Sequence, residues 1–498
     1  MNRRQAIATG LGAGLAACST GRAAKRPNVL FVMTDDHATS ALGCYGNPLV
    51  RTPVLDRLAS EGVRFTNAFC TNSLCAPGRA ATITGTYSHR NRILGNSEMK
   101  GQEEHLDQSL PTFPRILQAN GYRTALVGKW HMSDDPRGFD YWCVLPGQGV
   151  YFDPELIENG QRKKFTGYAS DVTTDLALRF LEQAGSDRAG GGKPWCLVYQ
   201  HKAPHRPFLP PPRHAKLYDG VELPYPATFD DDYATRKVAA AAEDMRFDLS
   251  LEPDYKKEIP KGLSAAAKKR WIYQRFVKDY YGAIAGVDDN LGRVLDHLRK
   301  TNQYDNTLVI YTTDNGFFVG EHGWYDKRFM YEPSLRIPLL VRPPGGIPSG
   351  RTTEAFALNI DYASTILDYT ACPIPAEMQG RSLRPVLESP TSPADWPTSM
   401  YYAYYENSWA LAGKGKEAMS DPSFAFFTPH RIGPHRGVRT RTHKLIHYYS
   451  EGEYWELFDL VQDPNELNNL YGDPAVGALT GELKAEMTRL RRQYSDHA

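Results

Sequence analysis

Four short apolar runs, each breaking off into polar and ionisable residues, constrain this 498-residue chain more than anything else in it. Pro27-Asn28-Val29-Leu30-Phe31-Val32-Met33 stops at Thr34-Asp35-Asp36-His37. Thr124-Ala125-Leu126-Val127 leads into Gly128-Lys129-Trp130-His131, and Trp195-Cys196-Leu197-Val198-Tyr199 into Gln200-His201-Lys202-Ala203-Pro204-His205. The run from Asn306 to Thr313 ends in Asp314-Asn315-Gly316. Continuous β-branched and apolar runs of this length mark strands covered on both faces, the condition of a parallel sheet. Stretches with helical spacing separate them. Thr52 to Glu61 has Pro53 early and Gly62 as its stop, and Phe276 to Lys300 repeats Ile284, Val287, Leu291, Leu295 and Leu298. The alternation predicts an α/β fold, a large mixed but mostly parallel sheet flanked by helices. Ligands of such sheets bind beyond the carboxyl ends of the strands, so the four polar clusters are expected to converge on one site.

The pattern changes along the chain. Residues from about 205 to 270 read as a long insertion over that site, rich in Pro and then in Ala, Lys and Asp. After Pro385, short aromatic stretches (Met400 to Tyr405, Gly437 to Thr440, Lys444 to Tyr449, Tyr454 to Asp459) predict a small antiparallel sheet, closed by a helix from Gly477 to Tyr494. This divides the chain into a leader (1–25), a main domain (26–385) and a C-terminal subdomain (386–498).

The leader reads as an export signal. Met1-Asn2-Arg3-Arg4-Gln5 is basic, and Ala6 to Ala17 is apolar, free of acid and too short to span a bilayer. The Arg pair points to twin-arginine export, and Leu15-Ala16-Ala17-Cys18 looks like a bacterial lipobox that would lipidate Cys18; a cleaved signal with an incidental Cys18 is the alternative. The expected location is therefore periplasmic or membrane-anchored, in a bacterium. With 58 Lys and Arg against 57 Asp and Glu, the chain lacks the basic surplus of a nucleic-acid binder. Its seven Cys include no C-x-x-C pair, which excludes a structural zinc site of the usual spacing.

Asp35, Asp36 and Asp314 with Asn315 supply three carboxylates and an amide oxygen at strand ends. Crowded together they would repel, and a hard divalent cation resolves that; all-oxygen donors suit calcium, with magnesium the alternative. Cys75-Ala76-Pro77-Gly78-Arg79 precedes a predicted helix start, with Pro77 in the first turn and Arg79 at i+4 from Cys75, on the same side.

Taken in order, Asp35-Asp36, Cys75-x-Pro77-x-Arg79, Gly128-Lys129-Trp130-His131, Ala203-Pro204-His205-Arg206-Pro207, Asp314-Asn315-Gly316 and Lys327 resemble the formylglycine-dependent sulfatases of the alkaline-phosphatase-like superfamily. The resemblance runs from about residue 26 to about residue 470, where Leu457-Phe458-Asp459-Leu460 and Asp463-Pro464-Asn465-Glu466 are similar to the family's ending. It implies the alkaline-phosphatase-like fold and a Cys75 that a maturation enzyme oxidises to formylglycine, whose hydrate is the nucleophile. It further implies a cation held by Asp35, Asp36, Asp314, Asn315 and residue 75. Arg79 would hold the diol, Lys129 and His131 would orient it with His131 as base, His205 would be the general acid, and Lys327 would bind sulfate.

The stretches around His201-Lys202 and Asp326-Lys327-Arg328 most resemble bacterial polysaccharide sulfatases, nearest to N-acetylglucosamine-6-sulfatases, with an iduronate-2-sulfatase-like or algal-glycan specificity left open. His201, Lys202, Arg206, His322, Arg328 and His435 are the candidate contacts to a sulfated oligosaccharide; solvated loop charges are the plainer account of Lys202, Arg206 and Arg328. Hydrolysis of phosphodiesters or phosphonate monoesters, and non-catalytic binding of sulfated glycans, are the alternative functions.

Overall fold

The computed structural model describes residues 26–96, 103–189, 192–236, 240, 245–249, 258–406, 432–449 and 453–497. The leader, with Arg3, Arg4 and Cys18, lies outside them. The strands are β1 Asn28–Asp35, β2 Val63–Phe69, β3 Arg123–Lys129, β4 Tyr141–Leu145, β5 Glu155–Glu158, β6 Gln161–Lys164, β7 Trp195–Pro204 and β8 Thr307–Thr313. They continue with β9 Phe318–Val319, β10 Tyr325–Asp326, β11 Leu339–Arg342, β12 Arg351–Leu358, β13 Ser399–Tyr404, β14 His435–Thr440, β15 His443–Tyr448 and β16 Tyr454–Asp459. The helices are α1 Pro53–Ser60, α2 Cys75–Thr84, α3 Ser88–Asn91, α4 Phe113–Ala119, α5 Ala169–Ala189, α6 Ala265–Lys300, α7 Glu332–Leu335, α8 Asp361–Tyr369, α9 Arg384–Glu388 and α10 Gly477–Gln493.

Ten strands form one sheet in the order β12-β2-β11-β8-β1-β7-β3-β4-β5-β6. The four apolar runs are its adjacent centre, β8-β1-β7-β3, all parallel. Their residues divide by parity, as a pleat requires. Val29, Phe31 and Met33 pack on α2, α4 and α8 through Ala80, Phe113, Leu117 and Ile366. Leu30 and Val32 face α1, α5 and α6 through Leu55, Leu181, Ala283 and Leu291. Each such buried side chain stabilises the fold by about 1.5–3 kcal/mol, so the centre of the sheet is a closely packed base for a site.

Two elements run longer than their sequence pattern. α6 begins at Ala265, capped by Ser264 accepting from the Ala267 N–H at 3.2 Å, well before Phe276. Its first turn, Ala265 to Lys268, favours helix by propensity but has no buried face, so apolar periodicity does not register it. β7 continues through His201-Lys202-Ala203-Pro204, where a loop was expected. The C-terminal stretches form the antiparallel meander β13-β14-β15-β16, with α10 packed on it through Leu483, Met487 and Leu490.

Candidate active site

The register of β1 on β8 sets Thr34 beside Thr313, so the two chains leave the sheet together as Asp35-Asp36 and Asp314-Asn315. Asp36 takes a positive φ of 65°, a sharp turn directly after the strand. One oxygen each from Asp35, Asp36 and Asp314 lies within 4.8 Å of the others, and all three residues are buried. Asn315 Nδ2 donates to Asp36 Oδ1 at 2.7 Å and to the Gly316 carbonyl at 2.9 Å. Asn315 Oδ1 is buried with no hydrogen-bond partner. An orphaned amide oxygen beside three converging carboxylates is a donor set of hard oxygens, which fits a hard divalent cation.

Three cations answer the carboxylates. Arg79 turns Nε and Nη2 to Asp314 Oδ2 at 3.0 and 2.8 Å, and Nη1 to Gln200 Oε1 at 2.7 Å and the Lys129 carbonyl at 2.8 Å. Lys129 bonds Asp35 and, at 2.7 Å, Gln148 Oε1. Lys327 bonds Asp36 and reaches Cys75 Sγ at 3.2 Å. Burial would raise the Asp35 carboxyl, but Lys129, His205, Arg79 and Lys327 together hold it well below the usual range. Burial pushes Asp36 up, opposed by Lys327 and reinforced by Asp35, and pushes Asp314 to about 7 with Asp35 adding to it. The opposite shifts mean that the cations outweigh burial at Asp35, while burial wins at Asp36 and Asp314.

Cys75 opens α2 rather than preceding it, with Leu74 as the N-cap residue. Its Sγ lies 3.4 Å from Asp35 Oδ1, and Asp35, Cys75 and His205 form a second converging set. Arg79 Nη2 stands 3.8 Å from the other Asp35 oxygen, so the i, i+4 pair does face one way. Gly78 lets the helix come this close: a Cβ there would lie 2.3 Å from the Asp314 carbonyl oxygen. Gly128 has φ +110° and a Cβ there would lie 1.7 Å from the Gln200 carbonyl, so the approach to Lys129 admits glycine alone. Burial, then the Asp35 charge, raises the Cys75 thiol well above its ordinary value. With no metal cation beside it, this environment disfavours the thiolate form.

A family model described as "Sulfatase" matches residues 27–371, and one described as "N-sulphoglucosamine sulphohydrolase, C-terminal" matches residues 410–493. The chain belongs to the sulfatase family. This sulfatase is 38% identical, over 95% of its length and 88% of the relative's, to an N-acetylglucosamine-6-O-sulfatase of Bacteroides thetaiotaomicron. It is 27% identical to the human N-acetylglucosamine-6-sulfatase, over 92% of this chain and 84% of that one. A solved structure of BT4656 in complex with its substrate D-glucosamine-2-N,6-O-disulfate superposes with a TM-score of 0.85 at 38% identity, covering 95% of this chain and 99% of that one.

The remaining candidate residues of the sulfatase are distributed unevenly. His205 Nε2 faces Asp36 Oδ2 at 3.7 Å, and its Nδ1 lies 2.8 Å from the Arg206 carbonyl, which can only accept, so Nδ1 carries the proton. Burial holds its pKa well below the ordinary histidine value. His131, with φ 57°, lines a cavity of about 520 Å³ with Trp130, Leu145 and Gly147. Lys202 donates to the carbonyls of Gln148 and Arg206 at 2.9 and 3.2 Å, and burial, with Lys129 nearby, lowers it to about 7. Arg206 lies over the Tyr325 ring at 5.8 Å, next to Asp326 and Lys327. Arg328 is buried against Asp326, 3.9 Å from Glu406.

Three expected substrate contacts have structural surroundings instead. Because β7 continues past Gln200, His201 lies tilted against the Tyr199 ring, with centroids 4.4 Å apart, on the side where Tyr199 faces α5 and α6, and burial takes its pKa to about 3. His322 is held by Asp231 Oδ2 at 2.7 Å within an aromatic group of Phe318, Trp324 and Tyr331. His435 is fully buried between Tyr402, Tyr404 and Tyr448, with Nδ1 on the Gly433 carbonyl at 2.9 Å. Conversely, Gln200 and Gln148, which orient Arg79, Lys129 and Lys202, carry no charge or motif that singles them out in sequence.

Proposed function

We propose that this sulfatase is exported and hydrolyses the 6-O-sulfate of glucosamine or N-acetylglucosamine residues in sulfated glycans. The supporting observation is the buried Cys75 against Asp35, Lys327 and the carboxylate cluster, in a chain 38% identical to an N-acetylglucosamine-6-O-sulfatase. The leader of residues 1–25 supports export, and Cys18 is the proposed lipid attachment point.

Asp35, Asp36, Asp314 and Asn315, with residue 75, would hold the cation, which we take to be calcium. Once bound, it would polarise the sulfate oxygens and favour ionisation of the attacking hydroxyl. Cys75 Sγ marks where the oxygens of a hydrated formylglycine would lie; that group would supply one hydroxyl to take the sulfo group and a second whose proton, passed to His131 as base, would let sulfate leave as the aldehyde returns. The chain's own residues do the rest. Arg79 and Lys129 lock Asp314 and Asp35 in place. Lys327, within 3.2 Å of residue 75, neutralises charge that builds on the sulfate oxygens. His205, whose Nε2 faces Asp36 and the site, protonates the departing sugar oxygen. An arriving sulfate raises its depressed pKa toward the protonated form, because a negative neighbour favours imidazolium. Arg206 and Arg328 flank this centre as candidate contacts to the sugar.

The deciding experiment pairs mass and turnover. The tryptic peptide containing residue 75 of active enzyme is expected about 18 Da lighter than the cysteine form. Turnover is expected on glucosamine-6-sulfates and not on phosphate diesters. Full activity with an intact thiol would refute the reading.

A further inference from the structure

We propose that Glu406 is a positioning residue that sets the reactive side chain at 75 against Lys327, a role that rests on the sulfatase chemistry proposed above. Glu406 follows β13 in the C-terminal sheet, far in sequence from either partner, and is buried. Its Oε1 accepts the Asn96 backbone N–H at 2.7 Å. Asn96 Oδ1 in turn accepts the N–H of Ala76 at 3.2 Å. Ala76 is the second residue of α2, so the pair caps the helix immediately after Cys75 and supplies the side-chain acceptor that Leu74 cannot. Gly95 makes the contact possible, since a Cβ there would lie 2.5 Å from Glu406 Oε1.

The other carboxylate oxygen works on a different loop. Glu406 Oε2 accepts from Tyr404 at 3.1 Å and faces Arg328 Nε at 3.9 Å. Arg328 adjoins Lys327, and both Asp326 and Arg328 have positive φ, near 90°. That strained turn aims Lys327 at Cys75 and needs outside support to persist. Tyr402, on the same strand, gives it by donating to the Arg328 carbonyl at 2.6 Å and accepting the Ser73 N–H at 3.1 Å. One carboxylate thus joins the start of the nucleophile helix to the turn carrying the sulfate-binding lysine, without touching either reacting group.

The test uses matured enzyme with p-nitrophenyl sulfate, a substrate with no sugar to contact. Glu406→Ala and Asn96→Ala are each expected to lower kcat about tenfold or more with KM within about twofold, as a misplaced reacting pair does. The double variant is expected to be no worse than the poorer single one, because both break the same chain of contacts. Glu406→Gln keeps an acceptor for the Asn96 N–H and is expected to recover most of kcat, at equal formylglycine content by mass spectrometry. A Glu406→Ala enzyme with unchanged kcat, a loss confined to KM, multiplicative single effects, or a Gln variant as poor as Ala would each overturn the inference. Inactive matured wild type would instead overturn the sulfatase reading, and Asn96→Ala with Glu406→Gln decides the matter should Glu406→Ala not fold.

Discussion

Arg79 bonds two oxygens and a carbonyl from three different strand ends: Asp314 after β8, Gln200 in β7 and Lys129 in β3. No lysine can reproduce that planar fork. Arg79→Lys is expected to leave the protein folded while lowering turnover about a hundredfold, measured as kcat on an aryl sulfate. Arg79→Ala is expected to cost about 3–5 kcal/mol in urea unfolding, because it strands the buried Asp314 carboxylate. The place of Arg79 was readable from its i+4 spacing to Cys75. Gln200, its amide partner, was not, since an uncharged side chain at a strand end looks the same whether or not it orients a cation.

Among the elements, α2 is set by contact rather than by propensity. Gly78 touches the Asp314 carbonyl, so Gly78→Ala is expected to destabilise by about 1–3 kcal/mol through overpacking and to depress activity by moving Cys75 off Asp35, read together from thermal melts and kcat. β16 contributes a pH dependence. Glu456 is buried, and its carboxylate accepts from Tyr331 at 2.8 Å, Tyr454 at 3.1 Å and Tyr448 at 3.3 Å. Burial raises it to about 7 despite these hydroxyls and Arg236. The folded protein thus holds this proton more tightly than the unfolded chain, whose value is near 4.5. The associated stability is complete below about pH 4.5 and is lost as pH rises through about 7, roughly 3 kcal/mol in all. Glu456→Gln is expected to flatten that decline in denaturant titrations across this range. The longer reach of β7 belongs to this scale too: the β pattern does not say where a strand stops, and His201 follows from that.

At the scale of the molecule, the candidate cation site at the sheet's edge couples to stability. Without a cation, Asp314 sits near 7, above the ordinary 3.8, so the stability tied to its proton is complete below about pH 3.8 and has been lost once pH rises through about 7. A divalent cation offsets that loss by binding the ionised form. Chelator-treated protein is therefore expected to melt lower above pH 7 than below it, and added calcium to raise the melting temperature most on the alkaline side. A melting temperature indifferent to chelator would contradict the site. The C-terminal meander is also part of this centre, since the Tyr402 hydroxyl binds both Ser73 and Arg328.

The central strands, the carboxylates and the cysteine-helix motif were legible in sequence because each is local: parity, spacing and charge lie within a few residues. Which of several histidines face the site, which amides hold the cations, and that a glutamate from the last sheet reaches the first helix of the site were decided by tertiary contacts alone. Those contacts join residues up to about three hundred positions apart, and nothing in the local chemistry of a histidine or a glutamine records which distant backbone will come to lie against it.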